Sequence, residues 1–120
     1  MAVCPSVDPD SWREAFEAFA ARLDRRFARA ESRKRMRRFL CGLMAGLPRV
    51  NCWTLAEHAG ERSPGGMQHF LAGAVWDDDG GLRTDLRDYV VEQFADPEAV
   101  LVVDETGDLK HGKMTVGVQR

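Results

Sequence analysis

Residues 10–27 read D-S-W-R-E-A-F-E-A-F-A-A-R-L-D-R-R-F, and the spacing of their apolar side chains decides the fold class. Trp12, Phe16, Phe19, Leu23 and Phe27 step by four, three, four and four residues, so all five lie on one stripe of an α-helix. Asp10 or Ser11 supplies its cap. Arg22, Arg25, Arg26 and Arg29 fall about a quarter turn from the aromatic stripe, beside the core-facing side and open to solvent.

The next apolar set, Met36, Leu40, Leu43, Met44 and Leu47, is also helical in spacing but out of phase with the first. One straight rod would present two clashing faces, so a break is expected near Glu31, with Ser32 capping a second helix that ends before Pro48. Asn51 caps a short third helix through Trp53, Leu55 and Ala56, closed by Gly60 in a left-handed conformation. Ser63-Pro64 opens a fourth, carrying Phe70 and Leu71 and reaching toward Val75 and Trp76. This is the rhythm of a helix-turn-helix, although the turn Glu61 to Gly66 exceeds the roughly 3 to 4 residues usual for that motif.

Asp77, Asp78 and Asp79 precede a fifth segment with Leu82, Leu86, Tyr89, Val90 and Phe94, ended by Asp96-Pro97. Acids at a helix start are favoured by capping and the macrodipole alone, which is preferred here to a metal site. Val100 to Val103 is a short continuous apolar run, rich in β-branched residues, that reads as a buried strand. A polar turn from Gly107 to Gly112 and a second run, Met114 to Val118, make an antiparallel hairpin whose edge needs a cover. The expected fold is mainly α, about five helices, followed by a C-terminal β-hairpin. The expected organisation is a loose leader over 1–9, a helical domain over 10–96, and a strand and hairpin over 97–120.

The chain has 120 residues, a net charge of −2, 44% apolar and 30% charged side chains. It is too apolar for a disordered chain, and no stretch approaches the ~20 apolar residues of a membrane-spanning helix. The first residues lack the basic run and apolar core of a secretory signal, which makes the cytoplasm the expected location. Cys4, Cys41 and Cys52 are an odd set without metal-ligand spacing and read as reduced thiols.

The charge is unevenly placed. From Arg22 to Arg38 run nine basic residues (Arg22, Arg25, Arg26, Arg29, Arg33, Lys34, Arg35, Arg37 and Arg38) and two acids, Asp24 and Glu31, a local surplus of +7 that leaves −9 for the remainder. Eight of the nine are arginine, the better bidentate phosphate partner, so contact with DNA phosphate is favoured over a merely solvated face.

The stretch V-L-V-V-D-E-T-G-D-L-K-H-G-K-M-T-V-G-V-Q-R, residues 100–120, resembles the first catalytic block of DDE-type transposases from bacterial insertion sequences. The upstream L-R-T-D-L-R-D-Y-V and D-P-E-A-V resemble the helix and proline turn that precede that block, and the likeness runs from about Trp12 to the end. The resemblance implies a ribonuclease H-like core in which two Asp and one Glu hold two Mg²⁺ ions and cut and join DNA strands. It implies that Asp104 is the first catalytic carboxylate and a Mg²⁺ ligand. Neighbouring strand residues point to opposite faces, so Glu105 is not expected to share that role. Lys110 and Lys113 of the hairpin are candidate phosphate contacts, and a lone His111 in the turn is not a metal site.

No other acid before Arg120 matches the second Asp and the Glu, so the expectation is an N-terminal fragment that binds transposon-end duplex DNA without cleaving it. Mg²⁺ belongs to the full-length family, and no tightly bound ion is expected in this chain. A homo-oligomer is compatible with the unpaired hairpin edge, and no membrane partner is expected. Two other readings stay open: a stand-alone helical DNA-binding regulator, and a helical protein-interaction module docking through the edge after Val118.

Overall fold

A computed structural model describes residues 8–75 and 81–103. Its five helices are α1 (Pro9–Asp24), α2 (Ala30–Met44), α3 (Cys52–His58), α4 (Gly65–Ala72) and α5 (Gly81–Phe94). Among the described residues none of them is long and apolar enough to cross a membrane.

The first helix starts earlier than its apolar stripe suggests. Pro9 has its φ fixed in the helical range and no N–H to satisfy, which suits the first turn, and Asp8 Oδ2 accepts from the Ser11 N–H at 3.1 Å. Asp8 is therefore the cap, in place of Asp10 or Ser11. The helix ends at Asp24, and Phe27, expected as its last stripe residue, sits in the turn beyond it. Phe27 is still buried, with its ring 5.7 Å from that of Phe70.

The break between the first two helices falls at residues 25–29, ahead of Glu31, and Ser32 is not the cap. Arg29 occupies the cap position with no side-chain hydrogen bond. Arg33, in the first turn of α2, reaches back so that Nη1 donates to the carbonyls of Phe27 (2.7 Å) and Ala28 (3.0 Å). A guanidinium with several donors satisfies two turn carbonyls at once, which a single hydroxyl does not.

The third helix follows the sequence reading. Asn51 Oδ1 accepts from the N–H groups of Trp53 and Thr54, and the Asn51 N–H donates to Thr54 Oγ1 at 3.1 Å, a reciprocal capping box. Gly60 closes it at φ +73°, where a Cβ would be strained, and Gly46 makes the same left-handed turn after α2. Pro64 stands just outside α4, its carbonyl accepting from the Gln68 N–H at 2.9 Å. That helix ends before Gly73, so Val75 lies beyond it and is exposed; Trp76 and the acids Asp77 to Asp79 lie outside the described residues.

Helices α2, α3 and α4 pack on one another, while α1 lies against α2 and α5. The core they share holds Leu23, Phe27, Met36, Leu55, Met67 and Phe70. Gly42 on α2 leaves room for Leu55 of α3: a Cβ there would stand 2.5 Å from Leu55 Cδ2.

The last helix does not present its apolar face to this core in the expected way. Leu82 packs against the cluster and Tyr89 lies 4.6 Å from Phe19, but Leu86, Val90, Val91 and Phe94 are exposed and the buried side chain is Asp85. Val100 to Val103, expected as a buried strand, are 82–88% exposed, and there is no strand among the described residues. A β-branched run becomes a strand only where partners complete its ladder and cover its face, and no described element does either. The second arm, Met114 to Val118, lies outside the described residues.

Replacing Gly42 by Ala weighs two effects. Helix propensity favours Ala by about 1 kcal/mol, whereas overpacking of a filled core costs roughly 1–3 kcal/mol. Leu55 is only 2% exposed and has nowhere to retreat, so Gly42→Ala is expected to lower stability by about 1 kcal/mol. Urea unfolding with an unchanged slope would measure it.

Candidate nucleic-acid interface

The nine cations between Arg22 and Arg38 are placed by the end of α1, the turn and the first half of α2. Most of them face carboxylates. Arg22 donates to both oxygens of Glu92 on α5, at 2.5 and 2.7 Å, and its guanidinium lies over the Tyr89 ring. Arg25 and Arg26 both grip Asp85, Arg26 through Nε at 2.7 Å and Nη2 at 3.0 Å. Arg37 donates to both oxygens of Asp24 at 2.6 and 2.9 Å and to Glu17 at 3.2 Å, which clamps α2 onto α1. Arg35 and Arg38 share Glu61 of the α3–α4 turn, at 3.3 and 3.4 Å, and Arg35 also meets Glu31.

Six of the nine cations are thus in ion pairs, and Arg33 holds backbone carbonyls. The sequence reading had Arg22, Arg25, Arg26 and Arg29 open to solvent; in the fold Arg22 and Arg26 are half-buried and the first three are tied to α5. Arg29 and Lys34 are exposed and make no ion pair among the described residues. Four carboxylates come in from outside the segment, Glu17, Glu61, Asp85 and Glu92, and they reduce its surplus from seven to three. Asp85 and Glu92 lie some 60–70 residues from their partners, so local spacing carries no sign of these pairs.

The carboxyls report the same contacts. Hydrogen bonds from Arg26 and Arg25 hold Asp85 well below the usual carboxylate range, and those from Arg37 and Arg22 lower Asp24 and Glu92 in the same direction. Burial pushes the Cys41 thiol up, in keeping with a reduced, unreactive cysteine.

The α3–α4 turn covers residues 59–64, longer than a standard helix-turn-helix turn, as the sequence suggested. Its geometry depends on the Arg35–Glu61 pair, which lies against Gly66: a Cβ there would stand 2.5 Å from Arg35 Nη2 and 2.7 Å from Glu61 Oε2. The outer face of α4 leaves Gln68, His69 and Leu71 exposed, with Arg62 just ahead of it.

A family model described as a DDE superfamily endonuclease matches residues 22–120. The chain belongs to that family. No curated protein and no solved structure matches it. The family is one of transposase-like enzymes acting on DNA, and the match covers α2 to α5 entirely.

DDE superfamily endonucleases are generally dependent on divalent metal ions. The described residues of this family member do not fit such an ion: no three His, Cys, Asp or Glu side chains converge among them, and buried Asp85 is engaged by two guanidiniums. Asp104, Lys110 and Lys113 lie outside the described residues.

Two outcomes follow from the ion pairs. All three carboxyl shifts are downward, so their stabilisation is complete above the ordinary carboxylate pKa of about 4 and is lost as pH falls through the lowered values. Thermal melts are expected to fall steadily below about pH 4, and to fall less in Asp85→Asn, which starts from a lower melting temperature. Replacing Arg33, Arg35, Arg37 and Arg38 together by Ala is expected to lower the melting temperature by well over 5 °C, because it frees the turn carbonyls, Asp24 and Glu61 at once. Circular dichroism on heating separates this from a variant that merely loses surface charge.

Proposed function

We propose that this chain is the DNA-binding and first catalytic segment of a DDE transposase of the insertion-sequence type, acting in DNA transposition. In this reading residues 10–96 form the DNA-binding helical domain, and residues 97–120 contribute the first strand and hairpin of the catalytic domain. Asp104 is its first catalytic carboxylate by the D-E-T-G match, and Lys110 and Lys113 meet DNA phosphate. No other residue of this sequence matches the remaining two acids, so the segment alone holds DNA without cutting it.

The family match across residues 22–120 carries the reading. The mutual packing of α2, α3 and α4 supports it, because a short helix braced by two others is the arrangement that lets one helix enter the major groove while its neighbours rest on the backbone. Arg29 and Lys34, with Arg62 ahead of α4, supply the attraction for phosphate.

Fluorescence anisotropy with a duplex carrying the transposon end, over a range of salt concentrations, tests the reading. All nine cations of the basic segment on phosphate, together with Lys110 and Lys113, would give a slope of log affinity against log salt of about −10; Arg29, Lys34, Arg62, Lys110 and Lys113 alone give about −4.5, and a value of about −4 to −5 is expected. With Mg²⁺ added, the chain is expected to leave a supercoiled plasmid unnicked. Absence of duplex binding at low salt would overturn the DNA-binding part, and nicking that vanishes in Asp104→Ala would overturn the inactivity of the segment alone.

A further inference from the structure

Between the α1–α2 turn and the end of α4 lies a pocket of about 260 Å³ lined in part by Arg29, Ser32, His69 and Gly73. None of the three polar side chains has a hydrogen-bond or ion-pair partner among the described residues, and no carboxylate lines the pocket. Glu31, the nearest acid in sequence, is drawn off by Arg35 at 3.2 Å. Among the described residues Arg29 is therefore the member of the basic segment that both escapes internal pairing and lines this pocket.

We propose that this pocket seats one backbone phosphate of duplex DNA, held by the Arg29 guanidinium with Ser32 Oγ and the His69 imidazole as further donors. The inference rests on the DNA-binding reading above and narrows it to one site. A guanidinium, a hydroxyl and an imidazole lining one pocket without a competing anion suit the acceptor oxygens of a phosphate. The volume holds such a group with several waters, each of which fills about 30 Å³ in the liquid. The six paired cations of the same segment are in no position to do this without releasing carboxylates that hold the helices together.

Gly73 offers a test that leaves the charge intact. A Cβ at this position would stand 3.0 Å from His69 Nδ1, so Gly73→Val crowds the pocket while keeping every cation, and its backbone is not in the left-handed region. Duplex affinity and its salt dependence are measured by anisotropy for the full chain, Arg29→Ala, Gly73→Val and Arg83→Ala. The last removes an exposed cation of α5 that makes no ion pair among the described residues. Arg29→Ala is expected to weaken binding about 5–10-fold and to flatten the salt slope by about 0.9, the share of one phosphate. Gly73→Val is expected to weaken binding to a similar degree, and Arg83→Ala by less than about twofold.

Duplex binding that is unaltered in Arg29→Ala and Gly73→Val would overturn the pocket and leave the DNA-binding reading standing. An equal loss in Arg83→Ala would overturn it too, since only overall charge would then matter. If the full chain holds no duplex, both readings fall as stated. NMR of the His69 ring with inorganic phosphate separates the source of the ligand: a shift with free phosphate that duplex DNA does not reproduce would overturn the DNA assignment and mark a small-anion site.

Discussion

The described fold depends on pairing arginines of one segment with carboxylates brought from elsewhere. Asp85 is the extreme case: it is the one charged or polar residue buried among the described residues, and Arg25 and Arg26 donate to its carboxylate. A buried carboxylate is tolerable only when its charge is compensated and its lone pairs are filled, and removing the compensation is far more damaging than never having had the pair. Docking of α5 on α1 therefore follows from charge more than from area. The apolar residues Leu86, Val90, Val91 and Phe94 of α5 stay exposed, while Asp85 and Glu92 make its ion pairs beside the packing of Leu82 and Tyr89.

The same pairing changes what the basic segment is. A run of nine cations suggests a polyanion-binding strip, yet Arg37 clamps α2 to α1, Arg35 and Arg38 fix the α3–α4 turn through Glu61, and Arg33 closes the α1–α2 turn. Arginine suits this work because its planar fork donates to two oxygens at once and its charge does not titrate away. What remains for an external partner is concentrated at Arg29 and Lys34. The surplus of charge marks the segment, and tertiary pairing selects the few positions where that charge is on offer.

The helices legible from sequence are those whose signals are local. The period of Trp12, Phe16, Phe19 and Leu23 located α1, Asn51 located the start of α3, and Gly60 located its end. Boundaries set by less direct signals were displaced. Pro9 moved the start of α1 back and made Asp8 its cap, and Arg33 took over at the α1–α2 turn the task assigned to Ser32. Val100 to Val103 show the limit of composition: β-branched residues favour a strand, but a strand is a property of its neighbours as much as of its own residues.

Sequence by itself determined the mainly helical character over residues 9–94, the caps and turns, and membership of the DDE superfamily endonucleases. These rest on periodicity, backbone preference and a recognisable order of residues, all of which are written along the chain. Only the tertiary structure decided which cations are free, which carboxylate is buried, and that Arg29, Ser32 and His69 border one pocket. The reason is distance: a charge pair or a pocket wall joins residues far apart in sequence, and nothing local in the sequence records that meeting before the helices pack.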